Sequence, residues 1–217
     1  MSAMARVRAM RVEQAAAQPS QVPESCVVFT PRPLADAILQ ALGDQPHATW
    51  LEPCVGGGVF LEALAAAKVT PSRIRGLDVA TTSSPQDQLA RTLRGEEFLR
   101  WSQSTTERFS RIIANPPYIA LNRMPRSVQS SALTIVVPGT TRTVALGANS
   151  WFAFLSASIA LLRRRGSLAF LLPAAWEYAD YAAPLRASIR QLFEPPRQMP
   201  LLPMAARPSL SMHRHAP

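Results

Sequence analysis

The chain has 217 residues, 47% of them hydrophobic, a length and composition that suit one domain with a sizeable core. Its longest apolar run, residues 151–162, is shorter than the roughly 20 residues that span a bilayer, so no membrane segment is predicted. The formal net charge of +9 would suit a polyanionic partner, but a single lysine among many arginines indicates compositional bias instead.

The first predicted element in chain order is a helix entered through a Thr-Pro turn. Residues 1–25 before it show no periodic pattern and are expected to be a flexible lead-in. Thr30 is placed to cap the helix, and Pro31 suits its first turn. Capping alone explains Thr30, so a ligand contact there needs support from elsewhere. Apolar residues then recur every four positions, at Leu34, Ile38 and Leu42, and the glycine that follows is expected to end the helix.

The next unit is a short apolar strand, a glycine-rich turn and a helix, which is the first half of a Rossmann-like βαβ unit. Its turn contains Glu52-Pro53 followed by Gly56 and Gly58, and the predicted helix covers residues 61–68. Glycines let the backbone approach a ligand, and a helix start points free N–H groups at it. Tight-turn packing explains the glycines equally well.

A second predicted strand carries Asp78 near its end, twenty residues after Gly58. An acid at that place is positioned to bind both ribose hydroxyls of a nucleoside. The acid and the glycine turn belong to one geometry, so each strengthens the interpretation of the other.

Residues 85–94 are predicted to be a helix, and residues 95–99 a strand end with a turn. Glu97 in this turn would accept a hydrogen bond from a purine amine, and Phe98 would cover the purine face. A solvated acid beside a core phenylalanine is an equally good interpretation.

The tetrapeptide Asn115-Pro116-Pro117-Tyr118 follows an apolar run and gives the most specific functional signal. Two consecutive prolines must end a strand in a rigid turn, and ligands bind at the carboxyl ends of strands in open α/β sheets. The Asn115 side chain and the Pro116 backbone would present two carbonyl acceptors to a planar amine, with the Tyr118 ring against the base. The alternative is a proline-rich turn with no ligand.

Later elements are predicted from the same patterns. Residues 119–147 favour a long loop with short helical pieces, followed by a buried helix, a central strand and a last helix. Residues 194–217 are proline-rich and are predicted to be a disordered tail. Such a tail supplies no strand, which would leave Leu168, Phe170 and Leu172 on an unpaired edge. The predicted helices and strand cover residues 148–162, 166–173 and 179–193.

Taken in order, these motifs resemble the S-adenosylmethionine-dependent DNA adenine-N6 methyltransferases, in the gamma class of restriction-modification systems. The resemblance rests on Phe29-Thr30-Pro31, the glycine turn, Asp78, Glu97-Phe98 and the Asn-Pro-Pro-Tyr tetrapeptide, and covers about residues 26–193. It implies an α/β fold, a Rossmann-like class I methyltransferase sheet with helices on both faces, in a catalytic domain of residues 26–193. A full sheet of this type resembles seven strands with a final hairpin, so the last two strands are expected to be missing from this chain.

The resemblance also implies a cofactor site for S-adenosylmethionine. Thr30 would hold the cofactor carboxylate, Glu52-Pro53 with Gly56 and Gly58 its methionine end, and Asp78 its ribose. Glu97 and Phe98 would hold its adenine, although Glu97 stands where the family commonly has Asp.

The chemistry implied is methyl transfer to the exocyclic amine of a flipped-out adenine in DNA. Asn115 and Pro116 would draw the amine hydrogens and turn its lone pair towards the methyl sulfonium, so positioning does most of the work. Tyr118 would stack on the flipped base. Tyr181 would form the opposite wall, with a core role as the alternative.

Two other functional classes stay open. Protein glutamine or RNA guanine amino-methyltransferases use a similar tetrapeptide, although the Phe-Thr-Pro segment before the glycine turn favours DNA. A non-catalytic, truncated remnant is the third class. A second polypeptide supplying target recognition is an expected partner, and the isolated chain is expected to show little site-specific methylation. The two cysteines, Cys26 and Cys54, have no metal-ligand spacing, so we expect reduced thiols in the cytoplasm and no metal site.

Overall fold

The computed structural model describes residues 29–43, 47–193, 197–199 and 209–213. The predicted lead-in, residues 1–25, lies outside the described residues.

A seven-stranded sheet forms the centre of the domain, in the order β3-β2-β1-β4-β5-β7-β6. The first five strands along the chain are parallel, and the last two form an antiparallel hairpin whose inner strand, β7, pairs with β5. The strands are β1 (Trp50–Glu52), β2 (Ile74–Asp78), β3 (Arg91–Arg94), β4 (Phe109–Ala114), β5 (Leu162–Leu171), β6 (Arg197–Met199) and β7 (Ser209–His213).

Helices cover both faces of the sheet, and this explains why its central strands are apolar on both sides. Ile112 of β4 packs into one core cluster and its neighbour Ile113 into the other, because successive strand residues point to opposite faces. The first two helices share a cluster with Ile113, and the remaining five share the cluster of Ile112. The helices are α1 (Arg32–Leu42), α2 (Val59–Ala66), α3 (Phe98–Ser104), α4 (Arg126–Leu133), α5 (Ser150–Leu161), α6 (Ala175–Tyr178) and α7 (Ala183–Leu192).

The predicted buried helix is confirmed as α5, in which only Ala160 is exposed. Asn149 caps its start by accepting a hydrogen bond from the backbone N–H of Trp151. Within the described ranges, no helix combines the length and apolarity that crossing a membrane requires.

The expectation that the last two strands are missing is wrong. Five residues of β5, from Ser167 to Leu171, pair with β7, so the predicted unpaired edge does not form. The prolines of residues 194–217 lie before, between and after the two strands, and neither strand contains one. Strand pairing therefore keeps its backbone donors despite the high proline content.

The predicted helix over residues 85–94 is also wrong. Pro85–Leu89 forms one short 3₁₀ turn, and the chain then enters β3, which pairs with β2 at the sheet edge. The following turn is shorter than predicted, since α3 begins at Phe98. Pairing with β2 outweighs the local preference for helix after Pro85.

Candidate functional site

The carboxyl ends of three neighbouring strands build the site. Strand β1 ends at Glu52, between β2, which ends at Asp78, and β4, which ends just before Asn115. Parallel strands present these ends at one edge of the sheet, so residues far apart in the chain meet there.

The glycine turn after β1 adopts backbone angles that other residues disfavour. Gly56 and Gly58 have φ of 54° and 77°, and Gly58 directly precedes α2. A Cβ atom on Gly58 would lie 2.7 Å from the Gln86 side chain, so Gln86 covers this part of the turn. The Phe29 ring, which is 74% exposed, faces Gly57 on the other part.

Asp78 binds the glycine turn itself. Its Oδ2 accepts a 2.7 Å hydrogen bond from the backbone N–H of Gly56, and its Oδ1 accepts one of 2.8 Å from Ala80. The Asp78 carboxylate lies at the predicted place, but a ligand hydroxyl would share these oxygens with the backbone.

Arg94 is a site residue that the sequence reasoning missed. It stands opposite Asp78 in the β2–β3 register, and its guanidinium lies 3.3 Å from the Asp78 carboxylate and 2.7 Å from that of Asp87. Hydrogen bonds from Arg94 lower the pKa of Asp87. The sequence could have indicated Arg94 as the last residue of a strand that lies beside Asp78. That signal is visible only when residues 91–94 are recognised as a strand.

Glu52 is a buried carboxylate without a full set of partners. It is 1% exposed, and its Oε2 atom has no hydrogen-bond partner. Desolvation raises its pKa well above the ordinary value, with a further rise from the Asp78 charge and an opposing effect from Arg94. A buried carboxylate oxygen left in this state is suited to a cationic ligand group.

Thr30, Asn115 and Tyr118 come together at the end of β4. Asn115 donates from Nδ2 to Thr30 Oγ1 at 3.1 Å, and the Tyr118 hydroxyl lies 2.7 Å from Asn115 Oδ1 and 3.0 Å from the Leu171 carbonyl oxygen. The predicted capping role of Thr30 is wrong: Pro31 occupies the N-cap of α1, and no side chain caps that helix. The Thr30 hydroxyl contacts the tetrapeptide instead.

Ser150 supports the same turn and was not predicted from the sequence. Its hydroxyl donates to the Pro117 carbonyl oxygen at 2.6 Å and accepts from the Ile119 N–H at 3.2 Å. This fully buried serine ties the start of α5 to the Pro-Pro turn that follows Asn115.

Glu97 and Phe98 do not lie as predicted. The two Glu97 carboxylate oxygens accept from the N–H groups of Leu99 and Arg100 at 2.7 and 2.9 Å, which caps α3. Phe98 is 1% exposed and packs against Phe154 at a ring-centroid distance of 5.1 Å. The predicted stacking of the Phe98 ring on a purine is therefore wrong, while the purine contact of Glu97 stays a prediction.

Tyr181 packs against α5. Its ring centroid lies 5.8 Å from those of both Trp151 and Phe152, as its alternative core role predicts. Burial raises the pKa of its hydroxyl, which keeps that group neutral.

The sheet order, with parallel strands followed by an antiparallel hairpin, defines a class I methyltransferase fold. A protein from Listeria monocytogenes described as a class I S-adenosylmethionine-dependent methyltransferase has a similar structure, with a TM-score of 0.56 at 13% identity over 98% of this chain and 66% of that one. The chain belongs to the Eco57I restriction-modification methylase family, whose model matches residues 64–197. The predicted class I methyltransferase fold and the resemblance to restriction-modification methyltransferases are thereby confirmed.

Two further proteins are similar to this chain, one in sequence and one in structure. The type II methyltransferase M.CvrRI of Paramecium bursaria Chlorella virus XZ-6E is 33% identical over 94 residues, which are 42% of this chain and 24% of that protein. The type IIG restriction endonuclease BpuSI matches with a TM-score of 0.65 at 17% identity, over 89% of this chain and 26% of that one. The chain thus spans about a quarter of the length of each.

Proposed function

We propose that the chain transfers a methyl group from S-adenosylmethionine to the exocyclic N6 amine of an adenine in DNA. The observation that carries the proposal is the placement of Asn115 at the carboxyl end of β4, with its amide bonded at both ends by Thr30 and Tyr118. Membership of the Eco57I restriction-modification methylase family supports DNA as the substrate.

The residues around the glycine turn fit the proposed cofactor. The buried Oε2 of Glu52 lacks a partner, and S-adenosylmethionine brings an ammonium and a sulfonium, both cationic. Thr30 would hold its carboxylate, Gly56 and Gly58 would approach its methionine end, and Asp78 its ribose. When bound, the cofactor would supply a methyl group on a sulfonium sulfur, which would leave as a neutral thioether, and the methylated amine would lose one proton to water.

The proposed role of the tetrapeptide is to hold and orient the amine. An aromatic amine is a poor nucleophile, because its lone pair is delocalised into the ring. Accepting the amine hydrogens at Asn115 Oδ1 and at the Pro116 carbonyl localises that lone pair and directs it towards the methyl carbon. The adenine must leave the duplex to reach these acceptors, and Tyr118 would stack on it, with Tyr181 as a candidate opposite wall.

The proposal includes a DNA partner and a second polypeptide that supplies target recognition, acting in the cytoplasm.

The experiment is methyl transfer from cofactor labelled in its methyl group, offered mixed-sequence DNA, RNA and a glutamine-containing protein in parallel. We expect label in DNA, recovered as N6-methyladenine after digestion to nucleosides, and none with Asn115→Ala. Label found only in RNA or only in protein would replace DNA with that substrate, and absence of transfer to all three would overturn the proposal.

A further inference from the structure

Thr30 is half-buried, lies just before α1, and makes its side-chain hydrogen bond outside that helix. It accepts the hydrogen bond from Asn115 Nδ2, and it makes no capping bond to α1. A hydroxyl has one hydrogen and two lone pairs, so an oxygen that accepts from Asn115 still has its own hydrogen to donate.

Packing fixes Thr30 relative to the end of β4. Helix α1, which begins two residues later, buries Ala35 and Ile38 in the same core cluster as Ala169 and Leu171 of β5. Strand β5 pairs with β4 up to the register of Ala114, next to Asn115. The Thr30–Asn115 bond therefore joins two rigidly held segments that lie 85 residues apart in the chain.

We infer that Thr30 is a positioning residue that couples the cofactor site to the amine-binding carbonyl of Asn115. The inference rests on the proposed function, in which the cofactor carboxylate takes the Thr30 hydrogen. Donating that hydrogen polarises the hydroxyl and strengthens its bond to Asn115 Nδ2, by roughly a tenth to a third in condensed-phase estimates. Binding of the cofactor then fixes the amide with Oδ1 facing away from Thr30, where the amine is received.

The Tyr118 hydroxyl explains why the orientation of the Asn115 amide needs a second contact to hold it. Its single hydrogen lies within bonding distance of two acceptors, Asn115 Oδ1 at 2.7 Å and the Leu171 carbonyl oxygen at 3.0 Å. When the hydrogen points to Leu171, a lone pair of Asn115 Oδ1 is released for the amine, and the bond to Thr30 still holds the other end of the amide. The Thr30 hydroxyl thus contributes to keeping the acceptor in its orientation.

The test measures thermodynamic coupling with two probes, sinefungin as an unreactive cofactor analogue and mixed-sequence single-stranded DNA, whose bases need no flipping. In the wild type, sinefungin should tighten DNA binding by about 5-fold or more, and DNA should tighten sinefungin binding by the same factor, since coupling is reciprocal. Thr30→Val keeps the side-chain shape without the hydroxyl and should reduce this factor to near one. Thr30→Ser should restore it, and Thr70→Val, at an exposed position, should leave it unchanged.

A second measurement needs no DNA. The side-chain amide resonances of Asn115, identified by their loss in Asn115→Ala, should shift on adding sinefungin to the wild type and to Thr30→Ser, but not to Thr30→Val. The inference would be overturned if the wild type and Thr30→Val showed equal coupling and the same amide shifts on adding sinefungin. Thr30 would then only stabilise the structure, and the proposed function would stand. If the wild type binds neither probe, the proposed function fails and the inference fails with it.

Discussion

The Asp78 carboxylate accepts a 2.7 Å hydrogen bond from the backbone N–H of Gly56, so the acid that ends β2 holds the turn that follows β1. The N–H of Ala80 and the guanidinium of Arg94 occupy the same carboxylate. Asp78 therefore shapes the glycine turn in addition to any contact with a ligand.

Replacing Asp78 by Ala should weaken S-adenosylmethionine binding by about ten-fold or more, because hydrogen bonds to a charged acceptor contribute roughly 1.5 to 3 kcal/mol. It should also lower the thermal stability, because the Gly56 N–H loses its acceptor. Calorimetry gives the affinity and thermal denaturation the stability. Asp36→Ala is the matched control, since the Asp36 side chain is 51% exposed and pairs only with Arg32. An unchanged dissociation constant in a folded Asp78→Ala variant would remove Asp78 from the site.

Glu52→Gln should stabilise the protein at neutral pH while weakening cofactor binding. Burial raises the pKa of Glu52 well above its ordinary value of 4.5, so the folded state holds the proton more tightly than the unfolded chain does. The free energy of unfolding should therefore fall as pH rises from 4.5 through the folded-state pKa, and then become constant.

Glutamine does not titrate, so Glu52→Gln should lack this fall. Wild-type affinity for the cofactor should rise over the same interval, as the carboxylate ionises, and the variant should bind weakly throughout. Denaturant unfolding and calorimetry across a pH series starting below 4.5 measure both. The same pH profile in both proteins would show that Glu52 is not the titrating group.

Asn115→Ala should abolish methyl transfer and leave cofactor affinity within about three-fold, because the proposed contact of its amide is with the amine and would matter most as charge develops in the transition state. Transfer of label to DNA measures the first quantity and sinefungin calorimetry the second. The same substitution at the exposed Asn122 should reduce transfer far less. Wild-type rates in Asn115→Ala would refute the proposed mechanism.

Two substitutions of Tyr118 should separate its hydroxyl from its ring. Tyr118→Phe loses the contacts to Asn115 and Leu171, and should lower kcat by about ten-fold with DNA affinity retained. Tyr118→Ala also loses stacking, which contributes about 1–3 kcal/mol per base, and should weaken DNA binding as well. Single-turnover rates at several DNA concentrations distinguish the two effects. If both variants had the same rate and the same DNA affinity, the contribution of Tyr118 would come from its hydroxyl and not from stacking of its ring.

Deleting residues 197–217 should cause aggregation and a lower melting temperature. Without β7, five residues of β5 lose their strand partner, and an unpaired apolar edge recruits other chains. Light scattering and thermal denaturation, compared with the full chain at equal concentration, measure the outcome. A truncated chain that stays monomeric with unchanged melting would show that the hairpin is dispensable.

The parts of the site with local chemistry were predictable from the sequence. Glycines with positive φ at Gly56 and Gly58, and a strand stopped by Pro116, follow from backbone geometry that few other residues adopt. An acid ending the next strand follows from its spacing. These features need no knowledge of what packs against them.

The errors came from features that depend on distant partners. Whether Phe98 faces a ligand or the core is decided by Phe154 on α5, and whether Thr30 caps α1 or binds Asn115 is decided by how α1 docks on the sheet. The hairpin was missed because β7 is held by backbone pairing with β5. Such pairing does not require the alternating apolar and polar residues by which a strand is recognised in a sequence. Local periodicity carries none of this information.

The bond between Thr30 and Asn115 also has a consequence for how the chain folds. It closes a loop of 85 residues, and the parallel strands within that loop are joined by crossover connections, so their pairing contacts are long-range as well. Contacts of such long range form slowly, because the entropy of loop closure is lost before the contacts return any stability. The Asn115 side-chain carbonyl should thus acquire its orientation late in folding, and recovery of the Asn115 amide signal after dilution from denaturant should lag behind the recovery of helix.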